Sequence, residues 1–470
     1  MIIEQVFTKG LAHSSYLLGG TTNCAIVDPR RDADIYISLA EEEGLNITHI
    51  LETHLHADFI SGHMDLVEKT GAQIYAPASA NCDFEYVALS EGDEIHIDDM
   101  TLRIIETPGH TPEHISYIVT DTSRGSDPVG VFCGDTLFVG DVGRPDLFPG
   151  RAEELAGKLY SSLHDKLMKL PDFCEVYPAH GAGSLCGRAM ASKRTSTIGY
   201  EKKYNYALNL DKESFIESLT KGMPDAPDHF SRCSEINRNG PAALSAYPDV
   251  ESLNPKQFRE LSLDSSTIVL DVRSFGAFGG EHIPGAFNID LASNFSMWAG
   301  WLLPPDRDIL LVADDYNQIT EASVLLHRVG LDRIRGYLKG GMFAWSMAGF
   351  PCSHVTMLSA EELHSMSREA GEFVLVDVRD PTEYSSFHIE TSINIHLPDL
   401  RSRCAELDPE SPTVLICGSG QRSGMGASIL MQHGFSDVYN VAGGMTGYNA
   451  RGFGPECSMC ALPWSSRLGK

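Results

Sequence analysis

Apolar positions in the first two hundred residues come in short runs broken by turn residues, and their period switches several times. Ser15–Leu18, Cys24–Val27, Thr101–Glu106, Ile115–Val119 and Gly130–Cys133 are compact runs of strand type, and Met1–Phe7 reads as a first strand. Ala33–Glu43 and Ala152–Leu170 repeat apolar residues at helical spacing. Between about 195 and 250 the pattern weakens. Pro224, Pro227, Gly240, Pro241 and Pro248 crowd there and predict a long connector packed on the first domain.

Beyond residue 250 the pattern repeats itself. Ile268-Val269-Leu270-Asp271-Val272-Arg273 recurs as Val374-Leu375-Val376-Asp377-Val378-Arg379. His282-Ile283 recurs as His388-Ile389, Ile309–Val312 as Thr413–Ile416, and Gly340-Gly341-Met342 as Gly443-Gly444-Met445. Apolar strands alternating with helical stretches predict a parallel α/β sheet in each copy. The expected domains are residues 1–250, 251–355 and 356–470.

Composition narrows the partners. The chain carries 64 Asp+Glu against 36 Lys+Arg, a net charge of −28. Such a field repels phosphate backbones and anionic lipid, so nucleic-acid and membrane partners are not expected. Eleven scattered cysteines point to reduced thiols in a cytoplasm-like compartment. A homo-oligomer, dimer or tetramer, is expected.

The chemistry gathers at strand ends. Thr53-His54-Leu55-His56-Ala57-Asp58 follows the apolar run Ile47–Leu51. Pro108-Gly109-His110, Gly134-Asp135 and Pro178-Ala179-His180-Gly181 each follow another strand, and Gly143-Arg144-Pro145-Asp146 lies in the loop after Asp135. A lone histidine after a strand is usually hydrogen-bonded structure; the ordered set points to a metal.

That set resembles the metallo-β-lactamase superfamily over roughly residues 1–210. The resemblance implies an αββα sandwich with the metal at one edge. Hydrolases of the glyoxalase II type use two metals and carry a histidine directly after the aspartate. Here that position is Phe59, so a second site would keep only Asp58, His180 and a shared Asp135. The words Thr-His-x-His-Ala-Asp, Gly-Arg-x-Asp and His-Gly-Ala-Gly-Ser are similar to the persulfide dioxygenases. That resemblance implies one Fe(II) held by His54, His110 and Asp135, with His56, Asp58 and His180 supporting the ligands. Arg144 is expected to anchor a carboxylate of the thiol carrier or a neighbouring loop.

In the last repeat, strand Thr413–Ile416 runs into Cys417-Gly418-Ser419-Gly420-Gln421-Arg422-Ser423 and then a helical run. A cysteine at a strand end, a Gly-rich loop and a helix N-terminus make an anion cradle that favours the thiolate, and Arg422 adds positive charge. This resembles the rhodanese family, sulfurtransferases that carry a cysteine persulfide, over about 250–352 and 357–455. Cys-x4-Arg is the sulfur-sized cradle. Phe387-His388-Ile389-Glu390-Thr391 departs from the usual Gly-His-Ile-Pro-Gly. In the first copy Ala313 stands opposite Cys417, and Asp314-Asp315 follow without an arginine, so that copy is expected to be silent. Cys457-Ser458-Met459-Cys460 and Cys186 stay open, the former as a sulfur relay, a disulfide, half a metal site or an inert tail.

The expected architecture is therefore α/β: a metallo-β-lactamase sandwich followed by two rhodanese-like domains with parallel sheets. The expected activity is oxidation of a small-molecule persulfide, such as glutathione persulfide, by O2 to sulfite and thiol. Cys417 would then make or use thiosulfate. Two alternatives are a dizinc thioester hydrolase fused to a sulfurtransferase, and a non-enzymatic sulfur carrier or sensor.

Overall fold

A computed structural model of the chain describes residues 1–223, 225–368 and 373–454. It resolves into two compact units. The first comprises Met1–Pro248 with Ala299–Trp301 and Val324–Asp332; the second comprises Asp249–Trp298, Leu302–Ser323 and the chain from Arg333 onward. Among the described residues no helix is long and apolar enough to cross a membrane.

The first unit is built on two six-stranded sheets. One runs β1 (Ile2–Thr8), β2 (His13–Gly19), β3 (Asn23–Val27), β4 (Asn46–Leu51), β5 (Gln73–Pro77), β6 (Val87–Leu89). The other runs in the order β12 (Ser196–Thr197), β11 (Glu175–Pro178), β10 (Gly130–Gly134), β9 (Ile115–Asp121), β8 (Met100–Glu106), β7 (Glu94–Ile97). Strand alternation sends Tyr16, Leu18, Ala25, Val27 and Leu51 from one sheet into a shared core with Leu102, Ile104, Tyr117, Val119 and Phe132 from the other. The opposite faces take helices. Leu17, Cys24, Ile26 and Ile50 pack on Tyr36 and Ala40 of α1 (Asp34–Glu42) and Leu66 of α2 (His63–Thr70). Ile105, Ile118, Val131 and Val176 pack on Leu159 of α3 (Ala152–Ser161) and on Leu163 and Leu167 beyond it. This is the αββα sandwich.

The expected connector is largely helical. It contains α4 (Ile198–Tyr204), α5 (Lys212–Thr220) and α6 (His229–Asn239), which bury Phe215, Leu219, Phe230 and Cys233. The helices are short, and the prolines between them mask their period in the sequence.

The second unit holds two five-stranded sheets, both parallel throughout: β13 (Glu251–Leu253), β17 (Ile334–Leu338), β16 (Asp308–Val312), β14 (Thr267–Asp271), β15 (Phe287–Asn288), and β18 (Thr356–Leu358), β22 (Val438–Val441), β21 (Thr413–Ile416), β19 (Val374–Asp377), β20 (Ser392–Asn394). The sequence repeat is a structural repeat down to single bonds. Arg273 Nη2 donates to Asp271 Oδ2 at 2.6 Å and to the Glu281 carbonyl at 2.8 Å. Arg379 does the same with Asp377 at 2.6 Å and the Phe387 carbonyl at 2.6 Å. The Phe387–Thr391 departure therefore leaves this anchor intact.

Candidate metal centre and sulfur-carrying loop

The ends of β4, β8, β10 and β11 deliver the side chains of the first site to one edge of the sandwich. His54, His110 and Asp135 are buried, and one donor atom from each lies within 4.8 Å of the others. His110 Nε2 is 3.3 Å and His54 Nε2 3.9 Å from Asp135 Oδ2. Local geometry demands a glycine before Asp135. Gly134 has φ +48°, and a Cβ there would come 2.4 Å from His114 Nε2 and 2.6 Å from Thr53 Oγ1.

Hydrogen bonds select the tautomers. His110 Nδ1–H donates to the Arg144 carbonyl at 2.8 Å, which leaves Nε2 as a buried lone pair without a hydrogen-bond partner. Thr53 Oγ1 donates to Asp28 Oδ2 at 2.9 Å and so accepts from His54 Nδ1–H at 2.8 Å, turning His54 Nε2 towards Asp135. Burial, then the neighbouring histidines, hold His54 well below its ordinary value; burial also lowers His110, against Asp135. Both are neutral donors. Burial resists ionisation of Asp135, but His180, by charge and hydrogen bond, carries it below the usual carboxylate range, with His110 and His56 adding to this.

His56 is drawn elsewhere. Its Nε2 is 3.2 Å from Asp28 Oδ1 and 3.6 Å from Glu52 Oε2. Burial opposes its protonation, but Asp28, by charge and hydrogen bond, and then Glu52 raise its pKa. Glu52 is itself held by Ser61 and by His63 Nδ1. Asp28, Glu52 and His56 thus form a separate buried group of potential ligands. Asp58 and His180 pair at 2.9 Å, and His180 Nδ1 reaches Asp135 Oδ1 at 2.7 Å. Burial opposes the charge on His180, but Asp135 and Asp58 raise it well above the ordinary histidine value. Cys186 joins these two in a third group of potential ligands.

Arg144 is taken by its own neighbourhood. The guanidinium is buried, paired with Asp146 at 2.7 and 2.8 Å and bonded to the Leu185 carbonyl at 3.1 Å. Of its two expected partners, the neighbouring loop is the one these bonds show. Several supporting residues went unread in the sequence. Asn237 of α6 donates to the His56 and Phe59 carbonyls, both at 2.8 Å, and accepts from Ser61 N–H at 2.8 Å. Glu113 accepts from Leu55 N–H at 3.0 Å. His13 is buried with its ring 4.1 Å from Phe59. Asp28 at a strand end was the one legible signal among these.

In the second unit, Cys417 ends β21 and lies buried in its loop. Gly420 N–H donates to its Sγ at 3.1 Å and the Ser423 hydroxyl at 3.3 Å. Gly444 closes the cradle at φ +52°, where a Cβ would meet the Cys417 carbonyl at 2.3 Å. Ser419 and Gln421 line an opening of about 350 Å³ with Arg422, Met425, Asn294 and Trp298. The Arg422 guanidinium is committed: it pairs bidentately with Glu383 at 2.5 and 2.9 Å. It lies beside Gly418, where its Nη2 would be 3.2 Å from an added Cβ, and interacts with Cys417 as well as with Glu383, so the carboxylate shares the charge that faces the loop. The corresponding loop of the first copy holds Ala313, with Asp314 and Asp315 exposed. Cys457 and Cys460 lie outside the described residues.

Comparison with known proteins agrees with this geometry. Residues 8–180 match the metallo-beta-lactamase superfamily, and residues 254–348 and 359–451 each match the rhodanese-like domain. The mitochondrial persulfide dioxygenase ETHE1 of Bos taurus is 30% identical over 231 residues, 47% of this chain and 81% of that protein. A hydroxyacylglutathione hydrolase of Pseudomonas entomophila is 36% identical over 167 residues, 35% of this chain and 60% of that protein. A solved metallo-beta-lactamase from Staphylococcus aureus is 36% identical with a TM-score of 0.64, covering 72% of this chain and 98% of that one. The chain belongs to the metallo-β-lactamase superfamily through a domain homologous to persulfide dioxygenases, and two rhodanese-like domains follow it. The superfamily fold implies a metal site, and the relatives of this chain include both persulfide dioxygenases and hydroxyacylglutathione hydrolases.

Proposed function

We propose that the chain couples two sulfur reactions: Fe(II)-dependent oxidation of a low-molecular-weight persulfide, such as glutathione persulfide, and sulfur transfer through Cys417. The observation that supports the first is the ion pair that draws His56 to Asp28 and Glu52. A two-metal hydrolase needs that histidine as a ligand. Its withdrawal leaves two neutral imidazoles and one carboxylate, a donor set suited to a single non-haem Fe(II). The orphaned His110 Nε2 fits such an ion. Bound there, Fe(II) supplies open coordination positions and the one-electron chemistry towards O2 that zinc lacks.

The protein's own contribution is orientation and exclusion of water. The Arg144 carbonyl and the Thr53–Asp28 pair fix the ligand tautomers, and His180 orients Asp135. The balance is RSSH + O2 + H2O giving RSH + H2SO3. At the second site the Cys417 thiolate attacks the outer sulfur of a persulfide and the carrier thiol leaves. Sulfite then takes that sulfur as thiosulfate and returns the thiolate, or the exchange runs in reverse. Gly420 N–H and the Ser423 hydroxyl hold the charge on the attacking and leaving sulfur.

The test is anaerobic purification with iron and zinc quantified, followed by O2 uptake on adding glutathione persulfide. Iron near one per chain with prompt uptake is expected; stoichiometric zinc with no uptake overturns the reading. The hydroxyacylglutathione hydrolase relatives favour a second reading, a dizinc thioester hydrolase. It requires two zinc ions per chain and cleavage of a glutathione thioester without O2 consumption.

A further inference from the structure

We infer that Asn294, in the copy that has Ala313 where the other has Cys417, recognises the thiol carrier of a small-peptide persulfide at the Cys417 pocket, a role that rests on the reading of Cys417 as the sulfur-transfer cysteine. Ser293, Asn294 and Trp298 of the first copy line that opening together with Ser419, Gln421 and Arg422 of the last. The first copy is anchored there. Its Asn288 N–H donates to the buried Ser428 hydroxyl at 3.2 Å, and its Gly285 carbonyl accepts from Gln432 Nε2 at 3.1 Å. Ser428 and Gln432 both belong to the helix that follows Cys417, Gln421–Gln432. A Cβ on Gly424 of that helix would come 2.8 Å from the Cβ of Phe275. The wall itself is braced: Asp290 Oδ1 accepts from Ala292 N–H at 2.8 Å, and the Asp290 carbonyl from the Ser293 hydroxyl at 2.6 Å. A wall fixed before the ligand arrives costs little ordering on binding.

The lining names the ligand. Arg422 is the one charged side chain lining the opening among the described residues, and Glu383 shares its charge. Asn294 is exposed and Gln421 half-buried, and neither side-chain amide makes a hydrogen bond among the described residues. Each amide both donates and accepts, which suits the amide, carboxylate and ammonium groups of a short peptide. Trp298 and Met425, both buried, add an apolar side for its methylenes. A volume of about 350 Å³ falls within the ~300–1,000 Å³ of pockets that enclose small organic ligands, and a bare thiosulfate ion leaves most of it empty. In the exchange Cys417 Sγ bonds the outer sulfur, the donor's S–S bond breaks, and the carrier leaves as a thiol with the proton the outer sulfur held. Asn294 meets the carrier alone, so it discriminates between persulfide and thiosulfate.

Initial rates on the full chain are measured anaerobically, so that no persulfide is lost to O2, with glutathione persulfide and sulfite as one pair and thiosulfate and cyanide as the other. Asn294→Ala removes the amide at an exposed position and leaves the core untouched. The KM for glutathione persulfide should rise about threefold to tenfold with kcat little changed, the cost of one lost hydrogen bond, and the preference between donors should shift towards thiosulfate by the same factor. S-methylglutathione, which has no sulfur to transfer, should compete with thiosulfate in the wild-type chain, and more weakly by that factor in Asn294→Ala. An unchanged persulfide KM, a parallel loss with both donors, or no competition by S-methylglutathione in the wild-type chain overturns the inference alone. Turnover of neither donor by the wild-type chain overturns the sulfur-transfer reading, and the role of Asn294 with it.

Discussion

His56 Nε2 lies 3.2 Å from Asp28 Oδ1, and the same carboxylate accepts from Thr53, whose hydroxyl orients His54. One aspartate thus withholds one histidine from the metal edge and presents another. Asp28→Asn loses the charge that holds His56 and weakens the bond that fixes the His54 tautomer. Iron affinity is expected to fall about 10–100-fold, the usual cost of losing a group that orients a ligand. Competition against a chelator of known affinity measures it; unchanged affinity would show that Asp28 does not govern the ligands.

The two chemistries should separate by mutation. His110→Ala removes a proposed ligand whose Nε2 makes no hydrogen bond, and should abolish bound iron and O2 uptake while leaving thiosulfate-dependent sulfur transfer. Cys417→Ser should do the opposite. Parallel O2-electrode and thiosulfate assays on both variants read this; loss of O2 uptake in Cys417→Ser would make the cysteine part of the oxidation.

Glu383 holds Arg422 at the lip of the Cys417 loop. Arg422 lies first against its own burial, then draws its raised pKa from Glu383, whose carboxyl is in turn lowered chiefly by that arginine. Glu383→Gln should free part of the guanidinium's charge for an anionic donor. The pair is partly exposed, so the effect is modest: a thiosulfate KM lower by about twofold to fivefold. A KM that rises would mean that Arg422 serves the loop's shape alone.

Burial lowers the pKa of His229 to about 4, with Arg232 adding to the effect. Above pH 6.5 this histidine is neutral in both folded and unfolded chains and contributes no pH dependence. As pH falls from 6.5 towards 4 the unfolded chain binds a proton that the folded one refuses, so stability drops, by about 3 kcal/mol in all. Replacing it with the buried, non-titrating ring of His229→Phe should flatten the urea-midpoint profile between pH 6.5 and 4. An unchanged slope there would assign the acid sensitivity to other groups, such as His114, which burial lowers to about 3.

Much of this was legible in one dimension because short-range rules govern it. Strand runs, the Pro-Gly-His and Gly-Asp turns and the Cys417 loop are each set within a few residues. The two copies of the Asp-Val-Arg anchor repeat their side-chain bonds because the residues that make them repeat. Helices α4 to α6 were missed because each is only two or three turns long and proline-rich segments intervene. Asn237 was missed with them, since its partners at His56 and Phe59 lie about 180 positions away.

The sequence by itself determined the fold class, the order of the domains and the residue types at each strand end, all of which depend on local period and turn chemistry. Only the tertiary structure decided what those residues face. It gave His56 to Asp28 and Glu52, Arg144 to Asp146, Arg422 to Glu383, and Cys186 to Asp58 and His180. A buried charged or metal-binding side chain is settled by whichever partner the packing brings within a few ångströms, and chain distance carries no record of that choice.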